Sequence, residues 1–579
     1  MTQNDSFSPE QQEYVKGFFA GIDARGALLP EAPAETGPAD ALHSAQAATK
    51  AAGGVLVPQE VTKAEKHPLD RWDELTARAA EARFPKGMDD FISRYHGLFY
   101  VGPAQDSFMC RLRIPGGILS PWQLRGVAAI AEELGAGHAD VTTRANLQIR
   151  EIGAAHGPEV VMRLGDLGLL PRGTGADNIR NITASPTAGI DAAELVDTRA
   201  VVRQMHHHIL NTRDLYALPR KFNIAYNGGG AVEVLEETND VSFHAVTVLE
   251  GFGLAPGLYW RLNLGGITGH QDFARATGVV VPLDQSVRVA DAVLRVFIAH
   301  GDRTDRKKAR LKYLLDRWGV PKFIAEVEAL LGAPLPKVPE EAQAPGAQPA
   351  KHGHVGVHPQ KQSGLCYVGV VTPLGRLTCA QWRGVADIAQ RIGGEIRLTV
   401  WQNFLLSDVP EARVPEVLAA LAELGLSTEA SHLRGGLVAC TGNAGCKFAA
   451  SNTKKHAMEL ADYLDARVTM PHPVNIHLTG CHNSCAQHYV GDIGLLGAKV
   501  ERGEELVEGY DLHVGGGAGA EQKIGRMIRA KVAHDEVGPL VETLLGRFLA
   551  ARAAEETFHQ FCARHDDAAL DAMLSERPA

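Results

Sequence analysis

The sequence repeats itself at a spacing of about 250 residues, and this duplication constrains the fold more than any other feature. Three pairs of segments match in the same order: 108–135 with 365–393, 142–148 with 399–405, and 218–228 with 470–480. In the first pair, Pro115 aligns with Pro373 and Arg125 aligns with Arg383. Solenoid repeats recur about every 20–50 residues, so this longer spacing is typical of a duplicated multi-domain unit. We therefore predict two homologous halves related by a pseudo-two-fold axis.

Each half shows strands that alternate with helices. An alternating run from Met109 to Arg113 predicts a strand. Ser120 can cap a helix with one apolar face, and Gly135 ends it. The alternation at 140–152 predicts one further strand. This order of elements predicts an α+β fold with ferredoxin-like half-domains.

Domain boundaries follow from composition and from the repeat. Residues 28–58 and 333–362 are rich in Ala, Pro and Gly and lack apolar periodicity, so we expect both to run over the surface as linkers. The predicted units are an N-terminal helix with an Ala/Pro-rich segment at 1–60, a ferredoxin-like half-domain at 61–175, an α/β domain at 176–332, a linker at 333–362, a second half-domain at 363–434 and a second α/β domain at 435–579.

The composition limits the classes of protein that fit. The net charge is −10 at pH 7, which argues against a general nucleic-acid-binding protein. The sequence has no run of about 18 apolar residues, and its first residues lack the basic and apolar segments of a secretory signal. We therefore expect no nucleic-acid partner, no membrane span and a cytoplasmic location, and we predict a monomer.

Four of the eight cysteines form two tight pairs late in the chain. Five residues separate Cys440 from Cys446, and three separate Cys481 from Cys485. In a reducing cytosol, clustered cysteines bind metal more often than they form disulfides. Thiolates suit both iron–sulfur clusters and zinc, but about two to four residues usually separate the cysteines of a zinc pair, so the five-residue gap favours a cluster. A zinc site and four unrelated thiols are the alternatives.

These cysteines resemble the signature of a known family. Thr-Gly-Cys-x-Asn-Ser-Cys at 479–485, preceded by Cys-x5-Cys at 440–446, is similar to the motif of the sirohaem-containing nitrite and sulfite reductases. The segments FMCRLRIPGG, DVTTRANLQI, LPRKFN and RTDRKKARLKY resemble further motifs of that family in the expected order. The likeness covers roughly residues 85–530 and is strongest to the bacterial assimilatory, ferredoxin-dependent nitrite reductases, whose N-terminal helix resembles residues 7–22.

The resemblance implies the cofactors and their ligands. In that family four cysteines hold one [4Fe–4S] cluster, and the last of them also ligates the iron of sirohaem. The corresponding residues of this chain are Cys440, Cys446, Cys481 and Cys485, with Cys485 as the shared ligand. The fold implied is two ferredoxin-like half-domains and two α/β domains, with sirohaem and the cluster between the halves.

The first half supplies cationic side chains that the second half lacks, whereas the cysteine pairs occur only in the second half. Arg111, Arg144 and Lys221 of the first half align with Gly369, Trp401 and Pro473 of the second. We therefore expect one shared site between the halves, to which one half contributes the cations and the other contributes the cluster.

The resemblance also implies roles for individual residues. Those expected to bind the oxyanion and deliver protons are Arg111, Arg180, Lys221 and Asn223. Those expected to bind the carboxylates of sirohaem are Arg144, Gln148, Arg220 and Arg306. A solvated surface charge is the alternative for any single arginine, and a solvated basic helix is the alternative for the run at 303–312.

The identity of the anion depends on residues 221–223. Sulfite-reducing relatives typically have Lys-x-Lys after Leu-Pro-Arg, whereas nitrite-reducing relatives have Lys-x-Asn, as in Lys221-Phe222-Asn223. One fewer positive charge suits singly charged nitrite, and a second lysine suits doubly charged sulfite. Gly175 also stands where some sulfite-reducing relatives have a cysteine that is crosslinked to a tyrosine. We predict reduction of nitrite to ammonium, with reduction of sulfite to sulfide as the alternative.

The electron donor is expected to be a separate protein. The sequence has no Gly-x-Gly-x-x-Gly motif in a strand–helix context, so no dinucleotide domain is predicted. In the resembling family the donor is usually ferredoxin. Two other functions are alternatives. One is a precorrin-3B synthase, which shares the cysteine signature but tends to be shorter. The other is a non-enzymatic protein that binds a cluster or zinc.

Overall fold

The two halves predicted from the repeat form two matching sets of sheets and helices. A computed structural model describes residues 13, 16–17, 38–344 and 346–575, so the predicted N-terminal helix at 7–22 lies mostly outside the described residues. The α+β class and the internal duplication are confirmed. Within the described ranges, no helix combines the length and the apolar character needed to cross a membrane.

The elements of the two halves are as follows. The helices of the first half are α1 (Pro38–Ala51), α2 (Pro58–Glu65), α3 (Trp72–Ala80), α4 (Met88–Ser93), α5 (Pro121–Leu134), α6 (Gly157–Asp166), α7 (Arg199–Asn211), α8 (Ser286–His300), α9 (Leu311–Trp318) and α10 (Val320–Leu331). Its strands are β1 (Leu98–Tyr100), β2 (Phe108–Arg111), β3 (Ile118–Leu119), β4 (His138–Thr142), β5 (Asn146–Ile152), β6 (Thr183–Ala184), β7 (Ile224–Asn227), β8 (Val241–Val248), β9 (Gly257–Leu264), β10 (Arg275–Pro282) and β11 (Gln343–Ala344).

The helices of the second half are α11 (Cys379–Ile392), α12 (Val414–Glu423), α13 (Thr453–Asp465), α14 (His534–Ala551), α15 (Phe558–Arg564) and α16 (Asp567–Ser575). Its strands are β12 (Gly356–Pro359), β13 (Leu365–Val370), β14 (Arg376–Thr378), β15 (Ile396–Leu398), β16 (Phe404–Pro410), β17 (Leu437–Ala439), β18 (Ile476–Thr479), β19 (Ile493–Arg502), β20 (Glu505–Val514) and β21 (Arg526–Ala533).

Each half donates one strand to a sheet of the other half. One sheet has the strand order β1-β2-β5-β4-β14, and its counterpart has the order β12-β13-β16-β15-β3. β14 belongs to the second half and β3 to the first, so the exchange is reciprocal. Leu377 on β14 pairs with Ala139 on β4, and Leu119 on β3 pairs with Ile396 on β15. The predicted pseudo-symmetry therefore relates two sheets that share strands.

One hydrophobic core extends through both of these sheets. Leu119 and Leu377 are completely buried in it, together with the inner faces of the equivalent helices α5 and α11. Trp382 on α11 donates its indole N–H to the carbonyl oxygen of Ala139, 3.1 Å away on β4 of the other half. Because separating the halves would expose this core to water, the hydrophobic effect fixes their relative position.

The other two sheets follow the half-domains in the chain. Their strand orders are β6-β7-β8-β9-β10 and β17-β18-β19-β20-β21. In each sheet the first three strands are parallel and the last two continue antiparallel. Ligands of such sheets bind beyond the carboxyl ends of the parallel strands. Residues that follow β6, β7, β17 and β18 are therefore candidates for a site.

The helix predicted between Ser120 and Gly135 is confirmed. Ser120 caps α5 by accepting a hydrogen bond from the Gln123 N–H, and the Gln123 side chain accepts one from the Ser120 N–H. Thr378 forms the same capping box at the start of α11. The shared box shows that local signals repeat between the halves along with the fold.

The single strand predicted at 140–152 is wrong. The segment forms an antiparallel pair, β4 and β5, with a turn between them. In that turn the Ala145 N–H donates to Thr142 O at 3.1 Å, and Ala145 has a φ of 46°. The apolar alternation continues across the turn, so the pattern did not show the reversal that places Arg144 at its tip.

The segments predicted to be surface linkers contain regular structure. α1 lies within 28–58, although residues 28–37 are outside the described part of the chain. Within 333–362, β11 pairs with β8 and β12 pairs with β13. His354, between those two strands, is 1% exposed. Strands of two and four residues are too short to show a periodic pattern, so composition alone concealed them. The domain boundaries themselves stay a prediction.

We expect Leu377→Ala to destabilise both halves. Removing a fully buried leucine side chain from β14 should lower the free energy of unfolding by about 2–5 kcal/mol, measured by chemical denaturation. Amide hydrogen exchange in β4 should accelerate, because β14 pairs with that strand. Leu506→Ala is the matched control, since Leu506 is 66% exposed. Unchanged exchange in β4 would contradict a structural role for the shared strand.

Candidate active site

The four cysteines lie beyond the carboxyl ends of two neighbouring parallel strands. Cys440 follows β17 directly, and Cys481 follows β18 after one residue. The Cys440 N–H donates to Leu478 O on β18 at 3.0 Å. Cys446 and Cys485 lie in the loops that continue from these strands. Strand pairing thus brings two motifs that are distant in sequence to one edge of the sheet.

Polar hydrogens are directed at two of the sulfur atoms. The Gly480 N–H donates to Cys440 Sγ at 3.2 Å, and Asn483 Nδ2 donates to Cys481 Sγ at 3.5 Å. Such bonds favour the thiolate form, and around iron–sulfur clusters they adjust the reduction potential. These two donors would stabilise the thiolate form once a metal centre is bound, although desolvation raises the pKa of Cys481.

The cysteines also affect one another's protonation. Desolvation raises the pKa of Cys485 to about 12, and the neighbouring Cys440 acts in the same direction, whereas Lys221 opposes it. Cys485 is nevertheless exposed by accessible surface. Both observations hold because the residue lies on the wall of a concave space, reached by solvent yet surrounded by protein. A bound metal centre would compensate the mutual repulsion of the thiolates.

The spacing of the sulfur atoms suits a cluster better than a zinc ion. Zn–S bonds of about 2.3 Å in a tetrahedron require sulfur atoms about 3.8 Å apart. Among the described residues, the groups of His, Cys, Asp and Glu that have three or more ligand atoms within 4.8 Å of one another are His456 with Glu459 and His534, and Asp492 with Glu521 and His559. In that same part of the chain no three cysteines form such a group. The described cysteines therefore do not form the tight tetrahedron of a zinc site.

The first half contacts both cysteine loops directly. Thr143, in the turn between β4 and β5, donates its hydroxyl hydrogen to Cys485 O at 2.9 Å. Arg150 on β5 donates to Gly445 O, next to Cys446, at 2.8 Å. These two bonds place the cysteines of the second half against the sheet of the first.

Arg111, Gln148 and Arg144 lie together on the first half-domain. Arg111 on β2 is in register with Gln148 on β5. Arg144 lies in the turn between β4 and β5 and donates from Nη2 to Asn181 O at 3.0 Å. Desolvation lowers the pKa of Arg111 to about 10, and the nearby Cys485 acts in the opposite direction. Arg111 therefore stays cationic at neutral pH, and its charge interacts with Cys485.

Backbone pairing brings Arg180 and Lys221 together. The Arg180 N–H donates to Phe222 O at 2.8 Å. Phe222 is fully buried in the core, so Lys221 and Asn223, on either side of it in an extended segment, face the opposite way. Desolvation lowers the pKa of Lys221 well below its usual value, and the neighbouring cation Arg310 lowers it further. The site thus holds several cations away from bulk water.

The basic run that begins at Arg303 is not a solvated helix, because it forms the loop between α8 and α9. Arg303 is 2% exposed and pairs with Glu60 of α2 at 2.6 Å. Arg310 pairs with Asp240 at 2.6 Å. Asp240 also accepts the backbone N–H of Asn223 at 2.8 Å. The run is therefore largely committed to buried ion pairs, and one of these supports the segment that holds Asn223.

Asp177, which sequence reasoning missed, contacts two of the predicted sirohaem ligands. It accepts two hydrogen bonds from the Arg306 guanidinium, at 2.7 and 2.8 Å, and lies 3.8 Å from Arg220 Nη1. Lys63 of α2 lies 3.7 Å from the same carboxylate. Asp177 therefore neutralises the charge of Arg306 more fully than that of Arg220, so Arg220 is the better placed of the two to bind an anionic ligand. The sequence offered one indication of this role, since Asp177 is an acidic residue three positions before Arg180.

The remaining polar groups fit a large anion. Arg180 Nη1 and Arg144 Nε are buried and have no hydrogen-bond partner within the described part of the chain. Buried polar groups of this kind cost free energy unless a ligand or water satisfies them. A macrocycle with several carboxylates, together with a small anion, would supply acceptors for the guanidinium groups. The donor set therefore fits sirohaem beside Cys485.

Family models match both kinds of domain, and each matches twice. A model described as the nitrite and sulphite reductase 4Fe-4S domain matches residues 175–335 and 433–561. A model described as the nitrite/sulfite reductase ferredoxin-like half domain matches residues 101–167 and 358–424. The double matches agree with the duplication seen in the sheets.

Individual relatives cover most of the chain. It is 38% identical over 507 residues to the ferredoxin–nitrite reductase of Synechococcus elongatus, which covers 85% of this chain and 97% of that protein. It is 36% identical over 471 residues to sulfite reductase (ferredoxin) 2 of Mycolicibacterium paratuberculosis, with coverage of 79% and 82%. The solved structure of the Mycobacterium tuberculosis NirA protein matches with a TM-score of 0.82 at 32% identity and covers 89% of this chain and 97% of that one.

Replacing Cys446 by Ser should remove cluster iron and acid-labile sulfide together, because the cluster would lose one thiolate ligand. Metal and sulfide analysis of purified protein measures both. Cys366→Ser is the control, since Cys366 is buried on β13, outside the cysteine loops. One zinc per chain in the unaltered protein, or retention of iron and sulfide in the Cys446 variant, would contradict the assignment.

Proposed function

The chain belongs to the nitrite and sulphite reductase family, and we propose that it reduces nitrite to ammonium. The supporting observation is that the cysteine loops of the second half contact the strands of the first half that carry the cations: Thr143 donates to Cys485 O at 2.9 Å and Arg150 donates to Gly445 O at 2.8 Å. Arg111 lies on the strand next to that of Arg150, so a small anion bound at the proposed cofactor would be held by cations of the first half. The similar proteins are named nitrite and sulfite reductases, which disfavours a zinc protein and a corrin-synthesis enzyme.

The cofactor assignment follows from the donor groups of the site. The proposed cluster ligands are Cys440, Cys446, Cys481 and Cys485. Cys485 Sγ would also ligate the sirohaem iron, and the residues that would hold the sirohaem carboxylates are Arg144, Gln148 and Arg220. When bound, sirohaem and the cluster supply the electrons of the reaction. Arg306 acts mainly by holding Asp177, which in turn supports Arg220.

The chain's own residues bind the anion and move protons. Reduction of nitrite to ammonium consumes six electrons and eight protons and releases two water molecules, so acidic hydrogens must reach both oxygens. Lys221 suits this task because desolvation lowers its pKa, which makes its ammonium group a better acid. Arg111 and Arg180 keep their charge and stabilise the negative charge of the bound anion.

Nitrite is preferred over sulfite because of the charge at position 223. Asn223 faces the same side as Lys221, and its Oδ1 has no partner among the described residues. A neutral amide leaves the site with one less positive charge than a second lysine would give, which suits a singly charged anion. Relatives named as nitrite reductase and as sulfite reductase both match this chain, so sulfite reduction is the second candidate.

Ferredoxin is the proposed electron donor. The similar nitrite and sulfite reductases are both named for ferredoxin. It would deliver one electron at a time to the cluster. The monomeric state and the cytoplasmic location stay predictions.

Asn223→Lys should shift the ratio of kcat/KM values toward sulfite. A charge–charge contact at 4 Å is worth about 4 kcal/mol at an effective dielectric constant of 20. After desolvation we expect a net effect of about 1–2 kcal/mol, or about five- to thirtyfold in the ratio. Assays with reduced viologen measure both activities. An unchanged ratio, or a wild type that turns over sulfite faster than nitrite, would remove the main support for nitrite.

Lys221→Ala should lower activity on both anions, because it removes a cation and a proton donor that they share. We expect a loss of about 10²–10⁴-fold in kcat, the usual range for a general acid. Lys322→Ala is the matched control, because Lys322 is exposed on α10. A Lys221 variant that loses activity on one anion alone would show that the lysine sets specificity rather than catalysis.

A further inference from the structure

The aromatic ring of Phe99 lies against the guanidinium group of Arg111. Arg111 Cζ is 4.5 Å from the ring centroid. Arg111 on β2 is opposite Gly97, and its N–H donates to Gly97 O at 2.9 Å. Phe99 is two residues farther along β1, so it is the diagonal neighbour of Arg111 on the same face of the sheet. The contact therefore follows from the strand register.

Gly175 leaves the space that this ring occupies. A Cβ atom at position 175 would lie 2.6 Å from Phe99 Cζ and 2.5 Å from Arg94 O. Gly175 is not among the glycines with positive φ, so close approach rather than backbone conformation requires glycine here. Any side chain at this position would displace the Phe99 ring and so change its contact with the Arg111 guanidinium.

Few other contacts orient the Arg111 guanidinium. Its Nη1 donates to Thr174 O at 3.4 Å, a long hydrogen bond. No salt bridge involves Arg111 within the part of the chain that the structure describes. Arg94 Cζ lies 5.8 Å from the same Phe99 ring, and its charge lowers the pKa of Arg111. The negative face of the ring attracts both guanidinium groups, which would otherwise repel each other.

We propose that Phe99 is a positioning residue that holds the Arg111 guanidinium in the anion site. By fixing that charge, Phe99 sets the affinity of the site for an anion relative to an uncharged ligand of the same iron. The inference rests on the proposed function for the location of the anion, but it concerns binding rather than turnover. Gly175 belongs to the same arrangement because it admits the ring.

The test compares a charged with an uncharged ligand in the holoenzyme. Visible spectra follow nitrite binding to the oxidised protein and carbon monoxide binding to the reduced protein. Phe99→Leu keeps apolar volume but removes the aromatic face, so nitrite should bind about five- to thirtyfold more weakly. Carbon monoxide affinity should change less than about twofold, because it carries no charge for Arg111 to attract.

A double-mutant cycle shows whether Phe99 acts through Arg111. If it does, Phe99→Leu should cause no further loss of nitrite affinity in an Arg111→Ala background, because the guanidinium it positions is gone. Gly175→Ala should weaken nitrite binding in the same selective way as Phe99→Leu. Sirohaem content and thermal stability of each variant check that the fold and cofactor are retained.

Three results would overturn the inference. They are unchanged nitrite affinity in Phe99→Leu, equal weakening of nitrite and carbon monoxide, and an undiminished effect of Phe99→Leu when Arg111 is already alanine. Failure of the proposed function is a separate outcome. If the wild type reduces sulfite and not nitrite, the same cycle is run with sulfite, and it still decides whether Phe99 positions Arg111.

Discussion

The candidate site depends on the reciprocal exchange of β3 and β14 between the halves. The cations belong to one half and the cysteines to the other, so the site exists only if the halves keep a fixed relative position. The exchange achieves this by burying Leu119 and Leu377 in a core that neither half completes alone. The hydrogen bond from Thr143 to Cys485 O then holds the turn between β4 and β5 against the loop that contains Cys485. A hydrophobic constraint thus determines the geometry of a polar site.

The charges of the site are arranged so that only part of them is neutralised. Asp240 and Asp177 pair with Arg310 and Arg306, which lie in the loop before α9. Breaking such a buried pair would leave an uncompensated charge and cost more than an exposed pair. Among the described residues Arg180 and Arg111 form no salt bridge, and desolvation lowers their pKa values. Their positive charge stays available for a ligand at a cost in stability, a common feature of functional sites.

Local and repeated signals were visible in the sequence, whereas long-range pairings were not. The duplication, the helix cap at Ser120 and the cysteine spacing each depend on residues close together or on a regular repeat, and the structure agrees with the first two. The exchanged strands contain two and three residues, too few for a periodic pattern. The turn at Ala145 interrupts no apolar alternation, so its hairpin was missed.

The missed residues of the site have a common cause as well. Asp177 and Phe99 contact residues that are expected to bind the ligands, Arg306 and Arg111 respectively. Their importance lies in contacts between segments far apart in sequence, such as that of Asp177 with Arg306 and that of Phe99 with the space beside Gly175. A motif comparison finds residues that contact ligands directly, whereas these supporting residues emerge only from the packing of the folded chain.

The shared strands also determine when the protein can finish folding during its synthesis. The sheet of the first half-domain extends to Ile152, yet its last strand, β14, ends at Thr378. A ribosome that adds about 5–20 residues per second needs roughly 11–45 s to make the intervening chain. During that interval the edge of β4 has no partner strand and can pair with other chains. Chaperone binding to the nascent first half would protect this edge until β14 emerges.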